Sequence, residues 1–149
     1  MILLLFVSLI TVFHSVITTT VDQCTDKTIP QPIAVRVSNC TTPPCDLVRT
    51  TTAVLEIDFE ATKDLAELKA ASKAFALGVE TVYPLPNDDV CSALMNGECP
   101  LDAGEVVTYR LEMPILDSFP KVHALIQFSL VSGSDTIVCF KVAANVVDP

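Results

Sequence analysis

Apolar and polar residues alternate over short stretches along most of the chain. Ile33, Val35 and Val37 alternate with Ala34, Arg36 and Ser38. Ala53, Leu55, Ile57, Phe59 and Ala61 share one face of a second stretch, and Glu56, Asp58 and Glu60 take the other. A period of two predicts half-buried strands. Residues 105–113 repeat the pattern, with Val107, Tyr109, Leu111 and Met113 inward and Thr108, Arg110 and Glu112 outward. Val122, Ala124, Ile126, Phe128 and Leu130 form another inward row. Residues 136–147 follow the turn Ser132-Gly133-Ser134-Asp135 and are apolar on both sides. Such a strand is predicted to be central or covered on both faces. Pro, Gly and Asn/Asp turns separate these stretches, so the expected fold class is all-β, a sandwich of two antiparallel sheets.

One segment conflicts with that pattern. Residues 62–76 are rich in Ala, Leu, Lys and Glu, and Leu65, Leu68 and Ser72 fall near helical spacing. Local propensity favours helix there, whereas a sandwich needs a strand. The expectation is a helical turn near residues 64–68 followed by an extended stretch over 71–82.

Residues 1–20 contain no Asp, Glu, Lys or Arg, and residues 2–10 are apolar except for Ser8. This reads as a secretory signal peptide followed by one mature domain over 21–149. The apolar run is too short for the roughly 20 residues of a spanning helix. Secretion changes the meaning of the six cysteines, all of which lie in the mature part. An even number in an oxidising compartment implies a disulfide framework. Local geometry favours two short loops with Pro or Gly turns, Cys40–Cys45 and Cys91–Cys99. Cys24 and Cys139 remain, and would tie the first strand to the last. The cysteine spacings do not suit zinc knuckles.

Acids outnumber bases 18 to 9, for a net charge of −9. That balance disfavours nucleic acid and anionic membrane surfaces, which repel it at long range. Chemistry for catalysis is sparse. His14 leaves with the leader, so His123 is the one mature histidine, on the outward side of its strand. No Gly-x-Ser-x-Gly elbow or Gly-rich phosphate loop is present, so no enzyme, cofactor or metal is expected. Asn39-Cys40-Thr41 fits the N-glycosylation pattern. Bulky apolar residues stand on Pro-rich loops: Tyr83 and Leu85, Leu101, and Ile115, Leu116 and Phe119. They either cap the core or line the mouth of a pocket.

The spacing of Cys24, Cys40-Thr41-Thr42-Pro43-Pro44-Cys45, Tyr83-Pro84-Leu85-Pro86, Cys91, Cys99-Pro100-Leu101, Pro114-Ile115, Phe119-Pro120 and Cys139 resembles the Niemann–Pick type C-2 family. That family belongs to the lipid-recognition (ML) domains, with the group-2 mite allergens. The resemblance covers the mature chain. It implies an immunoglobulin-like sandwich whose sheets admit an apolar ligand, and the same three cysteine pairs that local geometry favours. It places the gate of the pocket at Tyr83, Ile115 and Phe119, where family members carry Phe, Val and Tyr. A tryptophan of the sterol binders corresponds to Phe128.

The expected function is a secreted, extracellular, monomeric carrier of a sterol, fatty acid, semiochemical or similar small apolar molecule. Leu55, Ile57, Phe59, Val79, Tyr109, Leu111, Ile126 and Phe128 would line its cavity, and the Tyr83 hydroxyl would meet a head group at the rim. Transient contact with a membrane or receptor would accompany delivery. The competing reading is a secreted recognition module for microbial lipids, which needs a basic rim, and Lys121 is the base nearest those loops. A third is a sandwich filled solid, since every sandwich has inward apolar rows.

Overall fold

The computed structural model describes residues 16–149. The expected leader spans residues 1–20, of which 1–15 lie outside the described residues. Nine strands run in order: β1 Asp22–Gln23, β2 Ala34–Val37, β3 Cys45–Val48, β4 Thr52–Glu60, β5 Lys69–Ala76, β6 Val79–Tyr83, β7 Val106–Pro114, β8 His123–Ser132 and β9 Asp135–Val147. A short 3₁₀ turn covers Cys91–Ala93.

One sheet has the order β1-β9-β8-β5-β6, with β3 also paired to β9, and the other has the order β2-β4-β7. The chain is an all-β sandwich, as its alternation predicts. β3 lies parallel to β9, a departure from the otherwise antiparallel pairing. β9 is central, flanked by β8 on one side and by β1 and β3 on the other. Its run Ile137, Val138, Cys139 and Phe140 is buried throughout, which explains why that strand is apolar on both faces. Disulfides join Cys24 to Cys139, Cys40 to Cys45, and Cys91 to Cys99. The first spans 115 positions, so it ties the start of the domain to the centre of the larger sheet.

Residues 64–68 form no helical turn. Leu65 instead bridges Leu101, each backbone N–H donating to the other's carbonyl at 2.8 and 2.9 Å. Leu65 and Leu68 are 0% and 1% exposed, so burial of both side chains overrides local helix propensity. The stretch expected to be extended over 71–82 is a hairpin. β5 and β6 meet at Leu77-Gly78, both with positive φ, 51° and 76°. Two such residues match the twist of a tight hairpin. Thr19 and Thr20, at the end of the expected leader, hydrogen-bond to the backbone of the domain. The Thr19 N–H donates to the Val35 carbonyl at 2.7 Å, and the Thr20 N–H to the Thr41 carbonyl at 3.1 Å.

The outer face of the smaller sheet carries an ion-pair ladder. Arg36 on β2 donates to Asp58 through both terminal nitrogens at 2.7 Å and to Glu56 at 3.0 Å. Arg110 on β7 reaches Glu56 at 2.8 Å. The register Arg36↔Glu56↔Arg110 places opposite charges side by side. Hydrogen bonds from Arg36 hold both carboxyls below their ordinary values of 4.5 and 3.8. A carboxylate with a depressed folded-state pKa stabilises the fold above its unfolded value, and that stabilisation is lost as pH falls through the folded value. Stability should therefore decline as pH drops below 4.5. Arg36→Met should weaken the fold at neutral pH and flatten that decline. Urea unfolding across this pH range checks it; an unchanged slope in the variant would assign the acid sensitivity elsewhere.

A candidate ligand cavity between the sheets

Inward side chains of the two sheets divide along the strands. Toward one end they are large: Ile57 and Phe59 on β4, Tyr109 on β7, Leu130 on β8 and Phe140 on β9 are at most 1% exposed. Leu101, from the loop before β7, completes that end at 0%. Toward the other end many inward positions are small: Ala53 on β4, Ser72, Ala74 and Ala76 on β5, Ala124 on β8 and Ala144 on β9. Small residues facing one another across a sandwich leave space. A cavity of about 320 Å³ occupies that half.

Its floor is aromatic. Phe128 packs against Phe140 with centroids 5.8 Å apart, and against Tyr109 at 6.4 Å. Tyr109 hydrogen-bonds the Asn87 carbonyl at 3.2 Å. Burial, reinforced by the nearby acids Asp88 and Asp89, pushes its phenol up to about 12, so it stays neutral and serves as packing. Leu55, Leu111, Ile126 and Val142 form the walls. Among the described residues no Asp, Glu, Lys, Arg or His lines the cavity.

Tyr83, Ile115 and Phe119 come together in the lining at one side. The rings of Tyr83 and Phe119 meet edge to face, with centroids 5.1 Å apart, a favoured aromatic geometry. Ile115 lies behind them, 3% exposed. The Phe119 side is braced. Ile115 accepts from the Thr50 N–H at 2.7 Å and donates to the Thr51 carbonyl at 2.8 Å. Arg49 donates to the Phe119 carbonyl at 3.3 Å and pairs with Asp148 at 2.8 Å and Asp117 at 3.2 Å. Tyr83, by contrast, closes β6, an edge strand paired to β5 alone.

Of the residues expected to line the cavity, Leu55, Leu111, Ile126 and Phe128 do so. Ile57, Phe59 and Tyr109 do not. They face inward as their alternation predicts, but they stand in the filled half. Val79 is a different error. It shares the inner face of β6 with Thr81 and Tyr83, yet it lies at the hairpin end, beyond the reach of the opposite sheet, and is 61% exposed. The loop residues serve both suggested purposes: Leu101 caps the filled core, Leu85 lines the cavity and Leu116 is 51% exposed. The alanines and Ser72 were missed, although their small size at inward positions was the available signal. Asn39 is exposed in a turn with φ of 59°. Among the described residues no group of three or more His, Cys, Asp or Glu could hold a metal ion.

Comparison with known proteins gives a consistent result. Residues 18–146 match the family described as "ML domain". The chain is 33% identical over 118 residues to the NPC intracellular cholesterol transporter 2 homolog a of Drosophila melanogaster, covering 76% of this chain and 77% of that protein. It is 28% identical to the ecdysteroid-regulated 16 kDa protein of Manduca sexta, covering 68% and 70%. Among solved structures, a Niemann-Pick type C2 protein from the Japanese carpenter ant superposes with a TM-score of 0.66 at 20% identity, over 76% of this chain and 89% of that one. The last likeness concerns the fold alone.

Filling the hollow should separate its role from that of the core. Ala124→Leu adds apolar bulk where the walls leave space, so it should keep or raise the melting temperature while reducing uptake of an apolar fluorescent probe at least tenfold. A marked loss of stability would mean that the space is not there.

Proposed function

The chain belongs to the ML-domain family, and from that premise we propose that it is a secreted, non-enzymatic carrier enclosing one small apolar molecule between its sheets. The observation that carries this reading is the uncharged cavity whose lining includes Tyr83 and Phe119 in edge-to-face contact. The Drosophila relative is named for cholesterol transport, which puts a sterol among the cargoes to try beside fatty acids and semiochemicals.

The energetics suit reversible carriage. Enclosing roughly 300 Å² of apolar ligand surface gains about 7–8 kcal/mol at ~25 cal/mol/Å². Loss of translational freedom and ordering of the rim reduce that. Before those costs the gain corresponds to a dissociation constant on the order of micromolar, so micromolar is the tightest affinity this burial supports, and release is easy. The ligand enters by separating the Tyr83 and Phe119 rings. Since Arg49 and the Thr50–Ile115 hydrogen bonds hold the Phe119 side, the Tyr83 strand is the side that yields. The acidic balance of the chain favours extracellular fluid over anionic membranes as its working environment. We further propose that the chain acts as a monomer and that its leader is removed before Thr19, whose hydroxyl accepts the Val37 N–H at 2.9 Å.

Phe119→Ala opens the gate and removes one wall of the mouth. It should lower sterol or fatty acid affinity at least tenfold while the far-ultraviolet spectrum and melting temperature stay near wild type. An unchanged dissociation constant in a folded variant would rule out this entrance. Saturable binding of lipid A or lipoteichoic acid, with none of sterol or fatty acid, would replace the carrier with a microbial-lipid recognition module. N-terminal sequencing of the secreted protein should start at or before Thr19. A start at Val21 would contradict the role given to the Thr19 contacts.

A further inference from the structure

Among the described residues the buried side chains that carry a hydroxyl are Thr19, Ser72 and Tyr109, the last bonded to the Asn87 carbonyl. Thr19 is fully used: its hydroxyl donates to the Cys40 carbonyl and accepts the Val37 N–H. Ser72 is different. It is 7% exposed and lines the cavity, and no donor or acceptor among the described residues pairs with its hydroxyl. Its inward neighbours along β5 are Ala70, Ala74 and Ala76. An alanine at 72 would fill nearly the same space, so what the serine adds is the hydroxyl. The hydroxyl is accessible from the cavity and free to pair with a polar atom that a ligand brings there.

Its place in the fold says what partner fits. Ala70 belongs to the filled core and Ala74 to the cavity lining, so Ser72 is the innermost lining residue of β5. It stands opposite Phe128 on β8 and opposite Tyr83 on β6. Thr81 shares the inner face of β6 with Tyr83 and also lines the cavity. One wall therefore carries three hydroxyls, while Leu55 and Leu111 on the opposite sheet are apolar. No cation lines the cavity, so an ionised head group would lie there without a counter-charge, which is costly. A serine hydroxyl both donates and accepts, and a neutral oxygen satisfies it in either sense.

We propose that Ser72 determines specificity: it hydrogen-bonds a single neutral oxygen, an alcohol or a carbonyl, that the ligand carries into the cavity against the β5–β6 wall. The ligand is thus a neutral amphiphile, its apolar body against Leu55, Leu111 and Ile126, and neither a pure hydrocarbon nor an ionised acid. This rests on the carrier reading above and narrows its cargo.

The test uses delipidated protein loaded with an apolar fluorescent probe and displaces the probe with hexadecanol, hexadecane or palmitate at neutral pH. Wild type should bind hexadecanol about tenfold more tightly than hexadecane, the worth of one well-made buried hydrogen bond. It should bind palmitate more weakly than the alcohol. Ser72→Ala should erase the preference for the alcohol, leave hexadecane affinity unchanged and keep or raise the melting temperature of the empty protein. Ser72→Thr, which retains the hydroxyl, should keep the preference. A full preference surviving in Ser72→Ala would overturn the proposal, as would palmitate matching the alcohol in wild type. Failure of wild type to take up probe would instead overturn the carrier reading itself.

Discussion

A β-sandwich can stay hollow at one end only if the other end is packed well enough to hold its sheets in place. Here Ile57, Phe59, Tyr109, Leu101 and Phe140 supply that packing, and each is at most 1% exposed. The Cys24–Cys139 bridge adds a covalent tie across 115 positions, which in a chain-entropy account contributes about 4–5 kcal/mol by restricting the unfolded chain. The cavity half has no such filling. Many of its inward positions are alanines, with one serine, and nothing collapses into the space because the backbone separation is set elsewhere. Close packing is the rule in protein interiors, so a hollow maintained in this way is a feature that the filled half sustains.

Charge is partitioned as sharply as bulk. The lining carries none, while the outer face of the smaller sheet holds the Arg36–Glu56–Asp58–Arg110 ladder. The bases nearest the mouth, Arg49 and Lys121, both pair with Asp148 at 2.8 and 2.7 Å. They brace the Phe119 loop and present little free positive charge to an acidic lipid head group. This local neutralisation agrees with the net acidity of the chain in favouring a neutral cargo over an anionic one.

Alternation in the sequence identified which residues face inward, and it did so well: Leu55, Ile57, Phe59, Tyr109, Leu111, Ile126 and Phe128 all do. Parity is silent on where along a strand the opposite sheet makes contact. Ile57, Phe59 and Tyr109 were therefore assigned to the cavity although they fill the core, and Val79 was assigned there although no strand covers it. Volume carries the missing information. Ala53, Ala74, Ala76, Ala124 and Ala144 mark the hollow end, and reading size along with polarity would have located it. Residues 64–68 misled for another reason, because their helix-forming side chains include Leu65 and Leu68, which the core takes regardless of propensity. The Leu77-Gly78 turn hid because a leucine rarely adopts positive φ. The family resemblance, by contrast, pointed to Tyr83, Ile115 and Phe119, and all three lie in the cavity lining.

The central claim is that a dry, apolar hollow exists in the half of the sandwich bounded by Leu55, Leu111, Ile126 and Phe128. Xenon enters such spaces and binds them without forming hydrogen bonds. Diffraction from crystals of the delipidated protein under xenon pressure tests the claim most directly. The account predicts xenon peaks enclosed by those four side chains and none among Ile57, Phe59 and Tyr109. Side chains closed over that volume, leaving no xenon between the sheets, would contradict it.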